Sequence, residues 1–124
     1  MNGVIPILRM GDVLLTTVHV ELRDAVAEGF QADVLSAIER SRARGLIIDI
    51  SGLDMVDSYV ARILAETGRM ARLMGTTAIL CGMRPEVSAT LVRMGFPMGT
   101  VQTALDLEEG LELLKGQNGG GKRQ

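Results

Sequence analysis

The stretch Ile47 to Leu64, IIDISGLDMVDSYVARIL, sets the architecture. It opens inside a short apolar run, Leu46 to Ile50, that reads as a buried strand. A polar loop, Ser51 to Asp57, follows, and then the pattern changes from run to stripe. From about Ser58 to Met74, Val60, Ile63, Leu64, Thr67, Met70, Ala71 and Met74 recur at three- and four-residue spacing, with Arg62, Glu66 and Arg69 on the other side. That spacing predicts an amphipathic helix. Gly75 breaks it, and Thr77 to Cys81 forms a second apolar run. Strand, helix, strand makes a parallel pair with a right-handed crossover. The loops Ser51 to Asp57 and Gly82 to Pro85 then leave the same edge of the sheet, so Ser58 and Arg84 are expected on one surface.

The flanking chain extends this unit. Val4 to Met10 and Val13 to Val20 are β-rich and meet at Gly11-Asp12, which predicts an N-terminal hairpin. Between Asp24 and Arg42, Val26, Phe30, Val34, Ala37 and Ile38 form a helical stripe. Pro85 starts a third helix to about Met94, ended by Gly95. A short strand near Thr100 to Thr103 precedes a last helix, Leu105 to Lys115. The expected fold is α/β: a mixed sheet with an N-terminal hairpin and about four helices covering it. Residues 1–115 are read as one domain, and 116–124, GQNGGGKRQ, as a disordered tail.

Composition excludes several classes of function. With 124 residues, 47% of them apolar and a formal charge of -2, the chain suits one soluble domain. One Tyr, two Phe and no Trp leave no platform for stacked bases, so no nucleic-acid partner is expected. The longest uncharged stretch, Met94 to Leu105, has 12 residues, against about 20 for a membrane crossing. A single cysteine cannot make an internal disulfide, which fits a reducing cytoplasm.

Catalytic parts are likewise scarce. His19 is the only histidine, no Gly-x-Ser-x-Gly elbow occurs, and Cys81 stands alone as a small apolar residue, so neither an acyl-transfer triad nor a zinc site is expected. No phosphate-binding glycine loop precedes a helix. Asp49, Asp54 and Asp57 lack the acidic pair and the lysine that a phosphoacceptor aspartate of a receiver domain needs. The chain is expected to be no enzyme, with no cofactor and no metal.

What remains is Asp57-Ser58. Either side chain suits a helix N-cap, a position where an oxygen acceptor contributes about 0.5 to 2 kcal/mol. Only one can occupy it, and the other is free for another use. A phosphate on Ser58 would add roughly 1.5 to 2 negative charges. The helix N-terminus favours an anion by about 0.3 to 1 kcal/mol, while Asp57 and Asp54 repel it and Arg62, one turn on, partly offsets it. With these effects nearly cancelling, a phosphate acts on whatever docks at this surface rather than on the fold.

The segment GLIIDISGLDMVDSYVARIL, with its Asp-x-x-Asp-Ser turn, resembles the STAS domain of anti-sigma-factor antagonists. IPILRMGDVLL, LMGTTAILCGMRPEV and TALDLEEGLELLK extend the likeness over nearly the whole chain, and they are similar to the RsbS-type scaffold subunits of stressosomes. The resemblance implies a dimer that co-assembles with RsbR-type paralogues. It also implies sequestration of an RsbT-type serine kinase until phosphorylation, and an RsbX-type phosphatase that resets the site. By its place in the motif the phosphoserine maps to Ser58, with Asp57 left as the cap. Asp54, Met55, Asp57, Tyr59, Arg62 and Arg84 are the expected docking surface. The same fold also serves stand-alone antagonists that bind an anti-sigma kinase. RsbR-type proteins carry an N-terminal sensor domain, whereas this chain begins within three residues of its first expected strand, so no sensing of that kind is expected of it.

Overall fold

The computed structural model describes residues 5–18, 23–95 and 101–120. The hairpin is present: strand β1 (Ile7–Met10) runs antiparallel to β2 (Val13–Thr17), with Met10 opposite Val13 across Gly11-Asp12. Gly11 takes a left-handed φ of 63°, which suits a residue with no Cβ. Pairing of β2 with the next strand continues through Val18, whose N–H donates to the Asp49 carbonyl. Val4, His19 and Val20, assigned above to these strands, lie outside the described residues.

Helix α1 (Asp24–Ser41), strand β3 (Gly45–Asp49), helix α2 (Ser58–Leu73), strand β4 (Thr77–Cys81), helix α3 (Pro85–Met94), strand β5 (Gln102–Ala104) and helix α4 (Leu107–Gly120) follow in order. The sheet is sequential, β1-β2-β3-β4-β5, and parallel from β2 onward. Successive crossovers of one hand return over one face, so α1, α2 and α3 share a side. There Phe30, Val34, Leu64, Val87 and Leu91 pack with Leu14, Leu46, Ile48 and Leu80. The alternate residues Val13, Ile47, Ile79 and Cys81 point the other way, where Leu114 of α4 covers them. A parallel strand that is apolar at every position needs both faces covered, and α4 supplies the second cover. Gly110 allows its close approach, since a Cβ there would stand 3.3 Å from Ile47 Cδ1.

Several expected details differ. Met70 and Met74, placed in the buried stripe of α2, are exposed, and Ala61, Ala65 and Gly68 are buried instead. The helix packs against both α1 and β4, and small side chains let it sit close to both, which turns its buried face away from the methionines. In α1 the fully buried residue of the first turn is Ala27, with Val26 half-buried. The last helix starts at Leu107, because Asp106 Oδ1 accepts from the Glu109 N–H at 2.9 Å and Glu109 Oε1 accepts from the Leu105 N–H. This reciprocal capping leaves Leu105 and Asp106 outside the helix. At its other end α4 runs to Gly120, so the tail expected from Gly116 begins inside the helix. A nucleated helix gains one hydrogen bond per residue added.

Candidate functional site

The loop between β3 and α2 is held from below. Ile50, Leu53 and Val56 are buried, while Ser51, Asp54, Met55, Asp57 and Ser58 are exposed. Leu53 N–H donates to the Ile50 carbonyl at 2.9 Å, and Ser51 N–H donates to Asp49 Oδ1 at 2.9 Å, so the loop turns tightly off the strand. Apolar anchors at three-residue intervals fix the backbone and turn the polar residues outward.

Asp57 is the N-cap of α2. Its backbone is extended, with φ -90° and ψ 175°, and its Oδ1 accepts from the Val60 N–H at 2.8 Å. Ser58 is the first helical residue, and among the described residues no hydrogen bond engages its hydroxyl. The redundancy of Asp57 and Ser58 is therefore resolved in favour of the aspartate. A nucleophilic oxygen is left exposed at a helix N-terminus, where an added anion is favoured by the dipole.

The other expected docking residues divide into groups. Asp54 and Met55 stand on the same exposed loop as Ser58, and Met55 is 69% exposed. Tyr59 is half-buried and turns towards α1, where its hydroxyl donates to Glu28. That bond to a carboxylate holds the phenolic proton, so the Tyr59 pKa is raised from its ordinary value of 10.0. Arg62 lies over the Tyr59 ring at 5.3 Å from its centre, a cation–π contact. Arg84, at the start of α3, donates from Nε to the Ser51 carbonyl at 3.0 Å. It thus reaches the same sheet edge as expected, though its partner is the loop backbone.

Gly82, with φ 75°, makes this closeness of the two loops possible. A Cβ there would stand 2.8 Å from Asp49 Oδ1 and 3.0 Å from Ser51 Cβ. Glu28, Ser51 and Leu105 also stand at this edge and were not among the expected docking residues. Leu105 is 79% exposed beside this edge, and its carbonyl accepts from the Gly82 N–H. Partners separated by 31 residues, as Glu28 and Tyr59 are, carry no local sequence signal.

The whole edge is acidic. Asp49, Asp54 and Asp57 come from the β3–α2 region, Asp24 and Glu28 from α1, and Glu86 from α3. Asp106, Glu108 and Glu109 around the start of α4 bring the carboxylates to nine, against Arg23, Arg62 and Arg84. Behind the edge Cys81 is fully buried, and burial, with Asp49 and Asp106 nearby, pushes its thiol pKa up to about 11. No thiolate chemistry is available there at neutral pH. Among the described residues, no helix is long and apolar enough to cross a membrane.

Comparison with known proteins agrees with this fold. The STAS domain family matches residues 5–109. A solved structure of a Ser-to-Glu variant of RsbS from Moorella thermoacetica superimposes with a TM-score of 0.83 at 36% identity, over 94% of this chain and 98% of that one. A chain from a structure of the stressosome, described as a signal integration and transduction hub, gives a TM-score of 0.80 at 38% identity, over 91% of this chain and 98% of that one. The RsbT co-antagonist protein RsbRA of Bacillus subtilis (strain 168) is 30% identical over 86 residues, 69% of this chain. The match spans only 31% of RsbRA's own length. The chain belongs to the STAS domain family.

Proposed function

We propose that this STAS protein is a non-enzymatic scaffold of stress signalling in the cytoplasm, which holds an RsbT-type serine kinase until Ser58 is phosphorylated. It would do so within a stressosome built with RsbR-type paralogues, from its own dimers, and an RsbX-type phosphatase would restore the free serine. The observation that carries this reading is the division of labour at the start of α2. Asp57 makes the cap bond to Val60, and Ser58 stands exposed with an unengaged hydroxyl. The similarity to RsbS and to a stressosome chain supports the assembly.

The physics of the switch follows from the site. A phosphate on Ser58 adds a dianion beside Asp54 and Asp57 on an edge that is already acidic. Arg62 is engaged over Tyr59, so little positive charge on this surface is at hand to neutralise it. To shift a bound kinase from 99:1 to 1:99, phosphorylation must weaken docking by about 5.5 kcal/mol. That requires the phosphate to fall inside the contact, where charge is desolvated, and Met55 marks an apolar part of that contact.

The test compares Ser58→Ala with Ser58→Asp. The alanine variant is expected to retain an RsbT-type kinase after phosphorylation conditions, and the aspartate variant to bind it poorly. Equal binding by both would remove the mechanism. Gel filtration of the chain mixed with an RsbR-type paralogue checks the assembly: a large particle is expected, and its absence would leave a stand-alone antagonist of an anti-sigma kinase as the better reading.

A further inference from the structure

Strands β2 to β5 are parallel and each helix returns against them, so all four helices end at the edge of the sheet opposite Ser58. That edge is basic. The last two turns of α1, α2 and α3 carry Arg40, Arg69, Arg72 and Arg93 to it, and the segment entering β3 adds Arg42 and Arg44. Arg9 near the end of β1 and Lys115 in the second half of α4 complete the group. Among the described residues Asp12, Glu39 and Glu112 oppose them, three carboxylates against eight cations. Arg9 and Arg40 also line a groove of about 530 Å³ that lies between β1 and α1 and runs up to this edge.

Helix α1 packs on α2, and β1 is the outermost strand, so a furrow is left between α1 and β1. Asp33, Ser36, Ala37, Arg40 and Ser41 recur at three- and four-residue spacing and form one wall. Ile5, Ile7 and Arg9 alternate along the chain and form the other. Thr16 Oγ1 donates to the Pro6 carbonyl at 2.8 Å, which holds this second wall in place. Ile5, Leu14 and Ala37 are buried and make an apolar floor. The two arginines meet only neutral acceptors: Arg9 Nε donates to the Gly11 carbonyl at 2.8 Å, and Arg40 Nη1 to Ser36 Oγ at 2.6 Å. Neither has an ion pair among the described residues. A guanidinium carries several N–H donors, so most of them remain for a ligand. Asp33, the carboxylate in the wall, is about 10 Å from Arg40 along the helix axis, about one screening length in dilute salt, and does not neutralise the arginines.

We propose that this groove binds a small organic anion, a carboxylate or phosphate ester with an apolar body, its head held by Arg9 and Arg40 and its body lying on Ile5, Leu14 and Ala37. The volume falls within the range of about 300 to 1,000 Å³ usual for small-molecule sites, and an apolar lining with a few convergent polar groups is their usual composition. The planar fork of arginine matches two oxygens of a carboxylate or phosphate. The floor distinguishes this site from a solvated pair of arginines, because an inorganic anion would leave the floor in water and an apolar body would cover it. The cationic end of the groove lies at the edge opposite Ser58, so a ligand there leaves the Ser58 edge open, and the proposal is independent of the function put forward above.

The experiment is an amide-resolved NMR titration of the isotope-labelled full chain. Octanoate and octyl phosphate are the probes, inorganic phosphate is the control without an apolar body, and octanol is the control without a charge. At least one probe is expected to bind with a Kd of about 1 mM or tighter and to shift amides within residues 5–14 and 33–41, and the tighter of the two identifies the head group. Arg9→Gln with Arg40→Gln, both at exposed positions, should weaken that binding at least about tenfold, as the loss of charge-assisted hydrogen bonds requires. Arg69→Gln, exposed on the same edge but outside the groove, should leave it unchanged. Unshifted peaks away from the substituted positions show the variants to be folded. The absence of saturable shifts in these segments with either probe up to about 10 mM would overturn the proposal. So would inorganic phosphate or octanol binding there as tightly as the probes, or probe binding that survives the loss of both arginines.

Discussion

Replacing Asp57 and Ser58 by alanine, one at a time, separates the two roles at the start of α2. Asp57→Ala removes the acceptor of the Val60 N–H bond at 2.8 Å, which costs about 1 kcal/mol at a typical N-cap. It also removes a carboxylate from the positive end of a 16-residue helix, a further loss of about 0.3 to 1 kcal/mol. The expected total is about 1.3 to 2 kcal/mol, or a fall in Tm of about 5 to 8 °C for a domain of this size. Ser58→Ala removes an exposed hydroxyl with no partner, and its effect should stay within about 0.5 kcal/mol. Asp57→Asn keeps the acceptor and loses only the charge, so it should fall between them, and added salt should narrow its difference from the unaltered chain. Urea titration measures all three, with an unchanged m-value required for the comparison. If Ser58→Ala were as destabilising as Asp57→Ala, the serine would be the cap, and the exposed hydroxyl on which its proposed role as a phosphate acceptor depends would not exist.

Three further outcomes are expected. Tyr59 should titrate above the usual tyrosine range, because its hydroxyl donates to Glu28. A raised pKa in the folded chain contributes stability that is complete below about 10 and is lost as pH rises through the folded value; Tyr59→Phe should abolish that alkaline loss, and an unchanged alkaline stability profile would refute the bond. Cys81, buried and with its thiol at about 11, should react with a thiol reagent at pH 8 at least about tenfold more slowly in the native chain than in urea; equal rates would mean the α4 face opens. Gly82→Ala places a Cβ against Asp49 and Ser51 at a φ of 75°, and should cost about 2 kcal/mol or more, since the left-handed region alone costs an L-residue roughly 1 to 2; a neutral effect in the same urea titration would show that the two loops can separate.

The elements were largely legible in the residues because the signals are local. Periodicity marks α2, the apolar runs mark β3 and β4, and the crossover rule places the Ser51 and Gly82 loops at one edge, where Arg84 does meet Ser51. The redundancy of Asp57 and Ser58 was visible as well, since both are cap residues at adjacent positions. Which of them makes the bond depends on where the helix begins, and only the geometry around Val60 settles it.

Other features depend on what packs against what. Helical spacing alone put Met70 and Met74 in the core, but contact with α1 and β4 together selects the small residues Ala61, Ala65 and Gly68. The bond from Tyr59 to Glu28, and α4 on the far face of the sheet, join residues distant in the chain. The charged residues themselves could be counted in sequence, where they nearly cancel to -2. Their separation into an acidic and a basic edge exists only because parallel strands make all four helices run the same way. Local chemistry thus placed a free serine near a helix start, and tertiary order surrounded it with carboxylates and moved most of the cations to the opposite edge.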